Sequence, residues 1–414
     1  MIAAYVGALR GAQPNVRLLL SISAIAGFTI DGGIYSVIFN LYLLRLDYGP
    51  AFVGQVSALA NLVFAFGSIL GGGLGSRFGE RRVMVVGMTL VLAGATCIPL
   101  TSNMPEAWRA SWLMASNVLL YFGLAQYFAN AGPFLLRSIQ SAARGNVFAM
   151  QSAITSIASF AGGLLGGLLP ALVVAVLGAP LIGSTPYQVP LIVAGGFMYL
   201  AMFFLLRTNN EVLVATEGAA GQPGAPALTA AYGLVAFMAL IRFLQVSVVG
   251  AGMTFFNVYM DSELGVATAT IGLVAASARL LSVPAALLAP TLGRRFGYGA
   301  AAAFAAGGAA LSSLPLALAA GAPGASAGFI GMMAFTSLRY PAFYVYMMER
   351  TPDRLRALMT GANEMAAGLS FALIALVGGY VIVNYGYAAA FLAAGAMSLA
   401  GTLVFYGYVR MRGE

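Results

Sequence analysis

The sequence predicts an all-α integral membrane protein of twelve transmembrane helices arranged as two six-helix bundles. Three observations carry that expectation. The 414 residues are 61% hydrophobic and 8% charged, with a mean hydropathy of +0.91, a balance for which the bilayer and not water is the solvent. Twelve apolar runs approach or exceed the roughly 20 residues that a hydrocarbon core of about 30 Å requires. The basic residues also take sides: of twenty, fifteen fall at one end of these runs, two at the other and three inside them.

The runs lie at approximately 17–44, 51–75, 83–102, 111–136, 147–177, 188–206, 230–260, 268–291, 298–320, 326–348, 357–382 and 386–408. The first is too long, and too interrupted by Asp31, for a cleaved signal peptide, and is expected to remain as a helix. Most connections are short, as packed helical hairpins require. The exception is 208–228, TNNEVLVATEGAAGQPGAPAL, where small residues, Pro and Gly mix with Glu211 and Glu217 and predict a flexible linker. The expected organisation is an N-terminal bundle over 1–207, the linker over 208–228 and a C-terminal bundle over 229–414.

Orientation follows from the arginines. Arg10, Arg17, Arg77, Arg81, Arg82, Arg137, Arg144, Arg207, Arg294, Arg295, Arg350, Arg354, Arg356, Arg410 and Arg412 share one face, and only Arg45 and Arg109 lie at the other. The positive-inside bias makes the first face cytoplasmic, with both termini and the linker on it. The net charge of +8 is accounted for by these loops and by anionic lipid headgroups, so nucleic acid is not an expected partner. Arginine without lysine, in a chain rich in Ala and Gly, points to a GC-rich genome and a prokaryotic plasma membrane. A single cysteine, Cys97, excludes a disulfide framework, and the absence of histidine removes the usual zinc and haem ligands, so neither metal nor cofactor is expected. Nothing in the sequence asks for a second copy, and a monomer is expected.

The two halves repeat each other. Phe39-Asn40-Leu41-Tyr42 recurs as Phe256-Asn257-Val258-Tyr259, and Leu74-Gly75-Ser76-Arg77-Phe78-Gly79 recurs as Leu292-Gly293-Arg294-Arg295-Phe296-Gly297. Pro133, Arg144 and Gln151 are echoed by Pro341, Arg356 and Asn363. Matches in the same order at equivalent topological positions describe a parallel repeat about an axis along the membrane normal, the architecture of an alternating-access carrier.

Gly72-Gly73-Leu74-Gly75-Ser76-Arg77-Phe78-Gly79-Glu80-Arg81-Arg82, between the second and third spans, resembles the signature loop of the major facilitator superfamily, and the resemblance extends over essentially the whole chain. It implies a secondary transporter of six-plus-six helices around a central cavity, with a small-molecule substrate. It also implies a conformational latch built from Gly72, Gly75, Ser76, Arg77, Gly79, Arg81 and Arg82, in which glycines permit close helix approach and the basic cluster faces helix C-termini or acidic caps. Ser76 stands where the family carries an acidic residue and Glu80 where it usually has a basic one, which weakens any charge relay or moves it to Glu80. A loop that only sets topology is the alternative. Gly67, Gly71 and Gly75, and Gly162, Gly163, Gly166 and Gly167, are expected close-packing faces.

Five ionisable residues lie inside spans: Asp31, Arg242, Arg279, Arg339 and Glu364. The first four sit about 17 to 21 Å from the start of their spans, near mid-depth, with Glu364 nearer the cytoplasm. An arginine at helix centre costs about 2.5 to 3.5 kcal/mol, so these groups are expected to face a cavity or each other. None is shared between the halves, and what the repeat does not share belongs to a substrate site. Neutralisation of an arginine by Asp31 or Glu364, purely to stabilise the fold, is the other reading. Tyr35, Gln126 and Asn130 are candidate cavity-wall residues, the last two on one helix face, as are Tyr340, Tyr344 and Tyr346 beside Arg339.

The expected function is secondary active transport of a small organic solute, anionic or amphipathic, with export favoured because no dense sugar-binding set of Gln, Asn and Trp occurs. Protons are a candidate coupling ion through Asp31 or Glu364, although the fourth span lacks the membrane-embedded arginine typical of proton-coupled members. No nucleotide-binding or zinc-protease motif occurs, and no enzyme activity is expected. The alternative is a membrane enzyme or scaffold of the same fold that does not transport, for which the sequence offers no nucleophile with a base.

Overall fold

The computed structural model describes residues 14–138, 144–178, 183–209, 226–318, 321–352 and 355–412. Most of the expected linker, together with Arg10 and Arg354, lies outside them. With no water at depth to satisfy backbone groups, the apolar runs must bond internally, and the described residues form helices without strands. In the first half these are α1 (Pro14–Thr29), α2 (Ile34–Leu44), α3 (Pro50–Phe78), α4 (Glu80–Cys97), α5 (Glu106–Arg137), α6 (Arg144–Leu177) and α7 (Thr185–Leu206). In the second half they are α8 (Pro226–Gln245), α9 (Ser247–Ser262), α10 (Thr268–Phe296), α11 (Tyr298–Leu311), α12 (Ser313–Leu318), α13 (Ala322–Arg350) and α14 (Arg356–Met411).

Nine helical stretches among the described residues are long and apolar enough to cross a membrane. The last of them has 54 residues, enough for two passes, and turns at Gly386, where φ is +83°. Helices α5 and α13 also have the length to span, at 32 and 29 residues; Gln126 and Asn130 in one and Arg339 in the other lower their hydropathy. The described helices therefore accommodate all twelve expected passes.

Among the spans expected to be continuous, the first, the seventh and the ninth are broken, the ninth at Ser312 between α11 and α12. The first divides into α1 and α2 around Ile30–Gly33, where Gly32 has φ +81° and the Ser36 hydroxyl donates to the Ile30 carbonyl at 2.6 Å. The seventh divides into α8 and α9 at Val246, which the offset of 217 between the halves aligns with Thr29, the last residue of α1. At the breaks in the first and seventh spans a hydroxyl bonds back onto a preceding carbonyl: Thr29 to Ile25 at 2.6 Å within α1, and Ser247 to Leu244 at 2.8 Å across the break.

The second sequence repeat is also a repeat of backbone. Gly79 and Gly297 both take left-handed φ, +91° and +85°, between the helices they join. The Gly79 amide donates to Gly75 O at 2.9 Å and the Gly297 amide to Gly293 O at 3.0 Å. Only glycine adopts this conformation without strain, which explains why both copies carry it.

The chain forms two compact units. One comprises the described residues of Met1–Asp47, Val63–Gly218 and Thr268–Ala276; the other those of Tyr48–Leu62, Ala219–Ala267 and Ser277–Glu414. In the first, small residues let helices meet: a β-carbon at Gly162 would overlap the Phe28 backbone, and one at Gly166 would press on Ile34. The second has an aromatic and aliphatic centre in which Phe405 packs edge-on to Tyr346 at 5.3 Å and against Phe343 at 5.4 Å.

Candidate functional site

Two of the four in-span charges of the second unit, Arg242 and Glu364, converge. On α13 the spacing of Tyr340, Phe343, Tyr344 and Met347 puts all four on one face; on α14, Thr360, Asn363 and Glu364 do the same. With Arg242 from α8 they line a small recess that is open on one side. The Arg242 guanidinium lies 5.5 Å from the Tyr340 ring centre, and Tyr340 and Tyr344 stack with centroids 6.3 Å apart. Glu364 is within electrostatic reach of both Arg242 and the Tyr340 hydroxyl. Arg242 is 8% exposed whereas Tyr340 is 47% exposed, so the cation sits at the back and the aromatic face at the front. Such a site offers a desolvated positive charge, a carboxylate and two aromatic faces to one ligand.

Arg339 points elsewhere. It is 2% exposed, donates from Nη1 to Gln245 Oε1 at 2.9 Å, and lies 5.3 Å from the Phe343 ring centre. Arg279 is half-buried on α10 and does not line the recess.

The remaining sequence candidates lie in the first unit. Asp31 occupies the α1–α2 break with an exposed side chain, and its carbonyl accepts from the Ser159 hydroxyl. Tyr35 is buried, stacks on Phe39 at 4.7 Å and reaches Asn117 Oδ1 at 3.5 Å. Gln126 and Asn130 do share a helix face, and that face packs on α3. Gln126 Nε2 donates to Gly67 O and Asn130 Nδ2 to Gly71 O, each at 2.9 Å, while a β-carbon at Gly75 would overlap the Asn130 amide. The two amides and the three glycines are thus one packing device.

At the end of α3, Ser76 Oγ donates to Gly73 O at 2.9 Å within the helix, and Arg77 lies over Phe78 at 5.4 Å. Gly72 has open space around it and Arg82 is exposed. Glu80 is 9% exposed and pairs with Arg137 Nη2 at 3.2 Å. Arg81 Nη2 donates to Leu206 O at 2.8 Å and its Nε to Thr208 Oγ1 at 3.1 Å, capping the C-terminus of α7. Thr208 and Asn209, the first residues of the expected linker, are held in place, the latter by reciprocal bonds with Asn15 at 2.8 and 2.9 Å.

Sequence reasoning missed Gln245, Phe343, Met347 and Thr360, and placed Asn363 only in the repeat. Gln245 follows Arg242 by three residues and Thr360 precedes Glu364 by four, so helical spacing around each charge was the available signal.

Residues 21–339 match the family profile described as the Major Facilitator Superfamily. The chain belongs to the major facilitator superfamily. It is a multi-pass membrane transporter of that superfamily's fold, as solved structures also show. The nucleoside transporter NupG is similar with a TM-score of 0.71 and 14% identity over 95% of this chain and 99% of that one. The xylose transporter XylE from E. coli is similar with a TM-score of 0.73 and 13% identity over 95% of each chain. The POT family transporter PepTSo is similar with a TM-score of 0.73 and 12% identity over 97% of this chain and 99% of that one. At such identities the likeness is one of fold. No curated protein matches the chain. In the loop that resembles the superfamily's signature, Glu80 is joined to Arg137 and Arg81 to the end of α7.

Proposed function

We propose that this superfamily member is a secondary active transporter that exports a small organic solute of anionic or amphipathic character by alternating access, with its termini in the cytoplasm. The observation that carries the solute class is the recess in the second unit, where buried Arg242 is flanked by Glu364 and by the half-exposed rings of Tyr340 and Tyr344. A carboxylate on the solute would compete with Glu364 for the guanidinium, and its apolar part would lie on the tyrosines. The similar structures belong to nucleoside, xylose and POT family transporters, which supports a small organic solute and leaves its identity to this recess.

Asp31 is the proposed proton carrier. It stands at a break in a membrane helix, where unwound backbone lines polar space, and a carboxylate there can exchange a proton with solvent. The experiment is a thermal-shift panel of organic carboxylates, amines and zwitterions on the purified protein, followed by flux in proteoliposomes. Arg242→Gln should weaken a carboxylate-bearing hit by roughly tenfold or more, the value of one charged hydrogen bond. Unchanged affinity in Arg242→Gln, together with normal flux, would remove the recess from the solute's path.

A further inference from the structure

Arg339 is among the largest fully buried side chains described, and its guanidinium is only partly satisfied. Nη1 is bonded to Gln245 Oε1, but Nη2 has no hydrogen-bond partner among the described residues, and neither has Nε2 of the same Gln245. Two donors on one bonded pair, one of them cationic, are therefore left unmatched inside the second unit. Phe343, whose ring lies 5.3 Å from the guanidinium carbon, supplies a weak attraction and no acceptor. No salt bridge to Arg339 occurs among the described residues. A buried charge with no counter-charge is costly enough that structures supply one, and unsatisfied buried donors call for an acceptor.

The surroundings narrow what that acceptor is. Glu364, the in-span carboxylate of this unit, is engaged with Arg242 and Tyr340. The backbone at the α8–α9 break is self-satisfied, because Val246 N donates to Arg242 O at 3.1 Å and Gly250 N to Val246 O at 2.9 Å, so nothing there needs the same ligand. Arg339 does not line the recess, and its Nη2 is sealed from solvent. A ligand that meets both donors is a small acceptor, and a monoanion would also neutralise the arginine.

The repeat shows that the pair is an addition to the scaffold. The offset of 208 set by Pro133 and Pro341 aligns Arg339 with Ala131, and the offset of 217 aligns Gln245 with Phe28. The equivalent positions of the first half carry an alanine and a phenylalanine, neither of which can form such a pair. We infer that the second unit holds a resident small inorganic monoanion of the chloride class, bound by Arg339 Nη2 and Gln245 Nε2 at the break between α8 and α9, separate from the transported solute. A bound chloride would neutralise Arg339 and take both orphaned donors.

The test is thermal unfolding of the full chain in detergent, without solute, in sodium chloride against sodium gluconate at equal ionic strength. The wild type should unfold several degrees higher in chloride, with a saturable dose response, since a ligand bound only to the folded state stabilises it. Arg339→Met, close in volume and uncharged, should lose the chloride response and be at least as stable in gluconate as the wild type. Crystals grown in bromide should show an anomalous peak touching Arg339 Nη2 and Gln245 Nε2, which decides the matter if the variant does not fold. Equal unfolding of the wild type in the two salts, a chloride response that survives in Arg339→Met, or bromide absent from that position would each overturn the site. These readings use no solute, so their failure is separate from failure of the proposed transport function.

Discussion

The Glu80–Arg137 pair joins the loop between α3 and α4, at the first residue of α4, to the end of α5, and it permits a worked prediction. Two unit charges 3.2 Å apart attract by roughly 5 kcal/mol at an effective dielectric of 20 and by about 1.3 kcal/mol in water. Arg137 is 58% exposed, so the interaction belongs near the watery limit, and a coupling energy of about 1 kcal/mol is expected. The single variants should be unequal. Arg137→Gln leaves a carboxylate that is 9% exposed without its cation and should cost about 2 kcal/mol, whereas Glu80→Gln keeps a hydrogen-bonding amide beside a solvated arginine and should cost about 1 kcal/mol or less. A double-mutant cycle followed by reversible denaturant unfolding in micelles measures all three quantities. Because the pair lies near the watery limit, the coupling should weaken markedly between about 0.1 and 1 M salt. A coupling below about 0.3 kcal/mol, or a Glu80→Gln variant less stable than Arg137→Gln, would refute the assignment of Glu80 as the loop's structural anion.

Asp31→Asn should abolish accumulation driven by an imposed pH gradient while sparing solute exchange in proteoliposomes, and full accumulation in this variant would make the carboxylate structural. Gly79→Leu should lower turnover and leave equilibrium binding nearly unchanged, because φ of +91° strains any side chain by about 1 to 3 kcal/mol at a helix junction that is not part of the recess lining; loss of binding with normal turnover would contradict this. With Cys97 replaced, a single cysteine at Asn103 should react with an impermeant reagent applied to intact cells and one at Gly218 should not, and the reverse pattern would invert the proposed topology.

The twelve passes were legible because an apolar run must be helical in lipid, and the repeat was legible because Gly79 and Gly297 need a conformation only glycine adopts easily. The ionisable residues inside spans could be picked out one by one, since each is costly in hydrocarbon. What the sequence could not decide is which of them meet. Helical spacing assigns residues to a face but does not say what the face touches. Gln126 and Asn130 have the spacing of a cavity wall, yet they clamp Gly67 and Gly71, while Tyr340 and Tyr344, at the same spacing, border a recess. The breaks around Asp31 and at Val246 were likewise hidden, because a hydroxyl folding back onto a carbonyl leaves hydropathy almost unchanged. Composition and periodicity are properties of one segment in its solvent, and so the chain itself determined the passes and their repeat. The partners of Arg242 and Arg339 come from helices about a hundred residues away, and only packing in three dimensions could choose them.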